Sequence, residues 1–97
     1  MSANDRRVVV TGMGLVSPCG NSVEESWRAI VAGEPGIDRI SAFDPSAYTS
    51  QIAGEVKDLD PCRFVDRKEA RRMDRSTQLA MAAAAEAMRG LEGAEYD

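Results

Sequence analysis

The chain contains no histidine. That removes the usual general base, any Cys–His dyad and any His-ligated metal site. Cysteine is nearly as scarce: Cys19 and Cys62 are the only two. Two widely spaced cysteines make no disulfide framework and cannot complete a structural zinc site, so free thiols in a reducing compartment are expected. No run approaches the roughly 20 apolar residues of a membrane helix. The opening MSANDRR carries no apolar segment of secretory-signal length, which makes a cytoplasmic setting the default expectation. A Gly-Lys-Ser/Thr triplet is also missing, so a Walker loop is excluded. From these residues no catalytic, cofactor-binding or metal-ligating site can be assigned.

What is present is an ordinary globular mixture of 43% hydrophobic and 29% charged residues. Ninety-seven residues allow at most one small domain. Twelve Lys and Arg against sixteen Asp and Glu give a net charge of −4, which argues against nonspecific nucleic-acid binding.

Val8-Val9-Val10-Thr11 is a β-branched run without alternation and predicts a strand covered on both faces. The loop GMGLVSPCG follows. Ser22-Val23-Glu24-Glu25 reads as a capping box, with Val23, Trp27, Ile30 and Val31 as one apolar stripe and Trp27 as its core anchor. Gly33 sits where a left-handed C-cap would end that helix, and Pro35-Gly36 prevents its resumption. Residues 37–50 show little periodicity and read as an irregular connection. Residues 51–57 predict a weak strand in which Gly54 marks a bulge or a close neighbour. Asp66 and Glu69 open a short basic helix. A longer, alanine-rich one follows, with Thr77, Ala80, Met81, Ala84, Met88 and Leu91 as its expected buried face and Gly90 and Gly93 as stop signals. The order strand, helix, strand, helix is α/β. The apolar faces of its first strand and its alanine helix call for partners beyond these residues, so the expectation is a piece of something larger with no complete domain.

The glycines do not make a dinucleotide fingerprint. Gly12-Met13-Gly14-Leu15-Val16-Ser17 lacks the third glycine, and the helix cap at Ser22 comes too late to meet a pyrophosphate. Gly12 and Gly14 instead predict a sharp turn where backbones pack closely.

Charge is concentrated late in the chain. Arg63, Arg67, Lys68, Arg71, Arg72 and Arg75 are half of the twelve cations, gathered within thirteen residues. On one continuous helix, Lys68, Arg71, Arg72 and Arg75 would share a face, while Glu69 would lie roughly 100° round from Lys68. Composition also fits a solvated face balanced by Asp66, Glu69 and Asp74.

Taken in order, RRVVVTGMGLVSPCGNSVEESWRAIVAGEPGI, FDPSAY, IAGEVKDLDP and DRKEARRMDRSTQLAMAAAAEA resemble the N-terminus of the β-ketoacyl-acyl carrier protein synthases of type II fatty acid synthesis, most closely the synthase II branch. The resemblance implies the N-terminal part of a thiolase-like αβαβα fold, incomplete in residues 1–97, that pairs as a homodimer. It also implies a decarboxylating Claisen condensation: a cysteine takes the acyl chain as a thioester, malonyl-acyl carrier protein loses carbon dioxide, and the resulting carbanion attacks. Substrates would ride on the phosphopantetheine arm of acyl carrier protein, with no separate cofactor and with neither nucleic acid nor membrane as a partner. The family's nucleophilic cysteine and two histidines lie downstream of this segment, so the chain alone is expected to be inactive. Cys19 stands where the family usually carries an apolar residue, and Cys62 where it is polar or acidic; neither has a histidine to activate it. Ser76 and Leu79 replace aromatic residues common in the family, implying altered packing of the alanine helix. The family docks its acidic carrier through the RKEARRM region, which maps onto Lys68, Arg71 and Arg72. A polyketide ketosynthase or its chain-length partner has a similar N-terminus. A non-catalytic module binding an acidic partner through the basic helix 66–75 is the reading from another class.

Overall fold

The computed structural model describes residues 5–93 and residue 95. The stretch Met1–Asn4, read above for a signal, lies outside the described residues.

Helix α1, Val23–Val31, begins as its sequence dictates. Ser22 is extended, and its Oγ accepts the backbone N–H of Glu25 at 3.1 Å. The reciprocal half differs from a capping box, because the Glu25 carboxylate takes the Ser22 hydroxyl, at 3.3 Å, rather than its N–H. The C-terminus closes as a Schellman motif: Gly33 has φ +73°, its N–H donates to Ile30, and the N–H of Glu34 reaches Ala29.

The expected stripe is not the covered face. Trp27 is 66% exposed, and Ile30 and Val31 are also exposed, whereas Ser26 and Ala29 are buried. Ser26 is packed against the 17–20 turn, where its hydroxyl bonds Ser17 Oγ at 2.7 Å and the Gly20 carbonyl at 3.3 Å. Small residues allow that turn to sit directly on the helix. Trp27 is therefore no core anchor among the described residues.

Strands β1, Ile37–Arg39, and β2, Ile52–Gly54, pair antiparallel with Ile37 opposite Gly54. The second falls within the expected strand; the first corrects the reading of 37–50 as wholly irregular. Directly after β2, Glu55 gathers the N–H groups of Ser41 and Ala42 and the Ser41 hydroxyl, which ties down the start of the connection. Gly54 marks a close neighbour: a β-carbon there would stand 2.8 Å from Pro18.

Val8–Thr11 forms no strand among the described residues, and Val8 is 94% exposed. A β-branched run needs a ladder partner, and none of the described residues provides one. The chain next runs against helix α3, Arg75–Met88, in the opposite sense. A β-carbon on Gly12 would strike the Ala87 carbonyl oxygen, and one on Gly14 the Ala83 carbonyl oxygen. Neither glycine has positive φ. Close approach, not a sharp turn, is why they are glycines.

The buried side of α3 is accordingly the reverse of the expected one. Ala82 is 3% exposed, and Leu79, Ala83 and Glu86 are half-buried, while Thr77, Ala80, Met81, Ala84 and Met88 face out; of the expected face only Leu91, in the turn after α3, is half-buried. Glu86 explains part of the reversal. Its carboxylate accepts the N–H of Leu15 at 3.0 Å and that of Val23, the first residue of α1, at 3.2 Å.

The observed order is thus helix, two strands, and two helices, with α2 at Arg67–Arg72. No described helix is long and apolar enough to cross a membrane. The accessible surface is 7926 Å², against about 5,400 Å² for a compact chain of this mass. The radius of gyration is 17.8 Å, against about 12.5 Å. Apolar faces on α1, on α3 and on Val8–Val10 stand open.

Candidate functional site

The basic segment is built from two caps. Asp60 accepts the N–H of Cys62 at 2.9 Å and starts a 3₁₀ turn, Pro61–Arg63, whose N1 proline suits the start of a helical turn. Asp66 then takes an extended conformation before α2, although its side chain makes no capping hydrogen bond. Helix α2 is six residues long and buries only Ala70. Arg67, Lys68, Arg71 and Arg72 are all exposed.

Lys68, Arg71 and Arg72 keep their i, i+3, i+4 relation within α2 and share one face. Arg75 does not continue that face. The helix stops at Met73, which is extended (φ −92°, ψ 141°), and α3 starts afresh after Asp74. A short basic helix followed by a longer one is as expected; the basic helix expected over 66–75 is corrected, because it ends at Arg72 and Arg75 opens the second helix. Asp74 causes the break, because its carboxylate accepts the N–H of Thr77 at 2.8 Å and the Ser76 hydroxyl at 2.9 Å. The sequence carries the signal: an Asp immediately before an alanine-rich helical run is an N-cap pattern.

Electrostatics leave the α2 face positive. Residues 63–75 hold six cations and three anions. Asp74 is engaged in its cap, and Glu69 meets Arg72 at 3.9 Å, a long exposed contact of little strength. Among the described residues, Lys68 and Arg71 make no ion pair.

Among the described residues, the two cysteines stand without an activating base. Cys62 is exposed in the 3₁₀ turn, and Cys19 is half-buried in a small cleft with Ser17, Asn21 and Lys57; both are free thiols. Among the described residues, no group of three or more Cys, Asp or Glu side chains is placed to hold a metal ion. An exposed cationic helix face can attract and orient an acidic macromolecule.

Hydrogen bonds from Thr77, then from Ser76, hold the Asp74 carboxyl below its ordinary range. Its folded form therefore favours the carboxylate. The associated stability is complete above the ordinary carboxylate range and is lost as pH falls through the lowered value. Helical ellipticity at 222 nm is expected to hold down to about pH 4 and to decline below it. Asp74→Asn, which still caps but does not titrate, should remove part of that decline. Superimposable acid profiles would show that Asp74 is not responsible.

Residues 5–95 match the family described as beta-ketoacyl synthase, N-terminal domain. The 3-oxoacyl-[acyl-carrier-protein] synthase 2 of Coxiella burnetii is 48% identical over 82 residues, which are 84% of this chain and 20% of that protein. The Vibrio harveyi protein of the same name is 47% identical over 83 residues, 86% of this chain and 20% of its own length. That of Staphylococcus aureus is 48% identical over 89 residues, 92% and 21% respectively. The chain thus spans about a fifth of the length of the curated relatives it matches. The ordered motifs, the match across nearly every residue and the similarity to three synthases agree: this chain belongs to the β-ketoacyl synthase N-terminal domain family.

Proposed function

We propose that these residues form the N-terminal segment of a 3-oxoacyl-[acyl-carrier-protein] synthase, and that α2 is part of the surface on which acyl carrier protein docks. The observation that carries the reading is an exposed cationic face, Lys68, Arg71 and Arg72, in an otherwise acidic chain of the synthase family. Strongly acidic carriers would be drawn to it, and such complementarity acts mainly on encounter rate and orientation.

In this reading the polypeptide adopts a thiolase-like layered fold and pairs as a homodimer. The open faces of α1, α3 and Val8–Val10 are where the remaining layers pack. The condensation itself belongs to residues outside these 97, because the chain has no histidine to assist decarboxylation. What this segment contributes is the placement of the carrier, which brings a thioester on a flexible arm to the reacting cysteine and leaves the bond-breaking to groups elsewhere.

Lys68→Glu tests the docking role in the complete polypeptide containing this segment. At low ionic strength, kcat/KM for carrier-bound substrate should fall about tenfold, and the deficit should shrink as salt screens the surface. Turnover of a carrier-free thioester should be unchanged. Wild-type kinetics with the carrier at low salt would refute the assignment.

A further inference from the structure

The break between α2 and α3 sets a geometric problem. A two-residue joint at Met73–Asp74 would let the short helix α2, anchored by one buried alanine, tilt relative to α3. Arg75 would then have no fixed place relative to Lys68, Arg71 and Arg72. One side chain spans the joint. The amide of Gln78 donates from Nε2 to the Ala70 carbonyl in the last turn of α2, at 3.0 Å, and accepts at Oε1 from the Arg75 guanidinium, at 3.2 Å. Ala70 is the buried residue of α2, and Gln78 is itself half-buried on α3. A single planar group thus ties the C-terminal end of one helix to the first cation of the next.

We propose that Gln78 is a positioning residue for the cationic surface: it locks α2 against α3 and so fixes Arg75, the first cation of α3, relative to the Lys68, Arg71 and Arg72 face that meets the acidic carrier. This inference rests on the docking reading of α2. The amide is suited to the task because it supplies one donor and one acceptor in fixed relation. A carboxylate would repel the Ala70 carbonyl, and an apolar side chain would satisfy neither partner. Ordering the cations beforehand lowers the cost of arranging them during encounter.

The test is a stopped-flow measurement of association between the complete polypeptide and fluorescently labelled acyl carrier protein, across a salt series. Gln78→Met keeps the volume and removes both hydrogen bonds. It should slow association about threefold at low salt and flatten the salt dependence. Arg75→Ala should also slow association, and the double variant should slow it by less than the two effects combined, because they share the Arg75–Gln78 contact. A purely structural role for Gln78 would shift the melting midpoint without that coupling. If Lys68→Glu slows association while Gln78→Met leaves it at the wild-type rate, the positioning role is overturned and the docking reading stands. If Lys68→Glu has no effect either, both fall. Should Gln78→Met lower the melting midpoint by many degrees, Arg75→Ala decides alone, since it alters only an exposed side chain; a wild-type rate there also overturns the proposal.

Discussion

Gly14→Val is expected to destabilise the fold by about 3 kcal/mol, at the upper end of what overpacking costs. A β-carbon on Gly14 would meet the carbonyl oxygen of Ala83 and lie 2.6 Å from its carbonyl carbon. The obstacle is helix backbone, which has no rotamer to yield, so α3 would have to move off the 11–14 segment. Gly12 meets Ala87 one helical turn away in the same manner, so one displacement breaks two contacts. Urea unfolding followed at 222 nm measures the loss. Gly33→Ala is the control, because Gly33 has φ +73° and open space around it. There the penalty is the left-handed conformation alone, about 1 kcal/mol. Equal midpoints for the two variants would mean that close approach to α3 is not what requires glycine at position 14.

Glu86→Ala should cost nearly as much, about 3 kcal/mol for two backbone donors held by one charged acceptor. The N–H of Val23 is among those the first turn of α1 leaves without a helical partner. Glu86 supplies that partner and places negative charge at the positive end of α1. The same carboxylate holds Leu15, so a single side chain joins the glycine segment, α1 and α3. Glu86→Gln retains an acceptor without the charge and should recover about half the loss, on the difference between charged and neutral hydrogen bonds. Amide hydrogen exchange at Leu15 and Val23 gives the direct reading. Protection unchanged in Glu86→Ala would show that the carboxylate does not hold them.

These two residues also mark where the sequence was legible and where it was not. The ends of α1 were readable because Ser22 and Gly33 act on neighbouring backbone within one turn. The existence of α3 was readable from its alanines. Its orientation was not, because alanines occupy both sides, Met81 and Met88 lie on the open one, and the side that packs carries a carboxylate that hydropathy assigns to solvent. Strand β1 was missed because Asp38 and Arg39 give it no apolar alternation. Val8–Val10 has strand composition, but a strand also needs a ladder partner, and composition does not supply one. For the cationic face, spacing alone placed Lys68, Arg71 and Arg72 together. Arg75 lies off that face because the cap at Asp74 starts a new helix, and Gln78 leaves no sequence pattern because its two partners are backbone and a neighbouring arginine.

The uncovered valines near the beginning bear on how such a polypeptide is made. Relatives of which 82 matched residues are 20% run to about 400 residues. On the reading proposed here, translation at roughly 5–20 residues per second leaves this segment waiting about 15–60 s for the layers that will cover it. During that interval Val8–Val10 and Trp27 protrude from the ribosome as adhesive surface. On the same reading, the net charge of −4 would set some repulsion between neighbouring nascent chains against that adhesion.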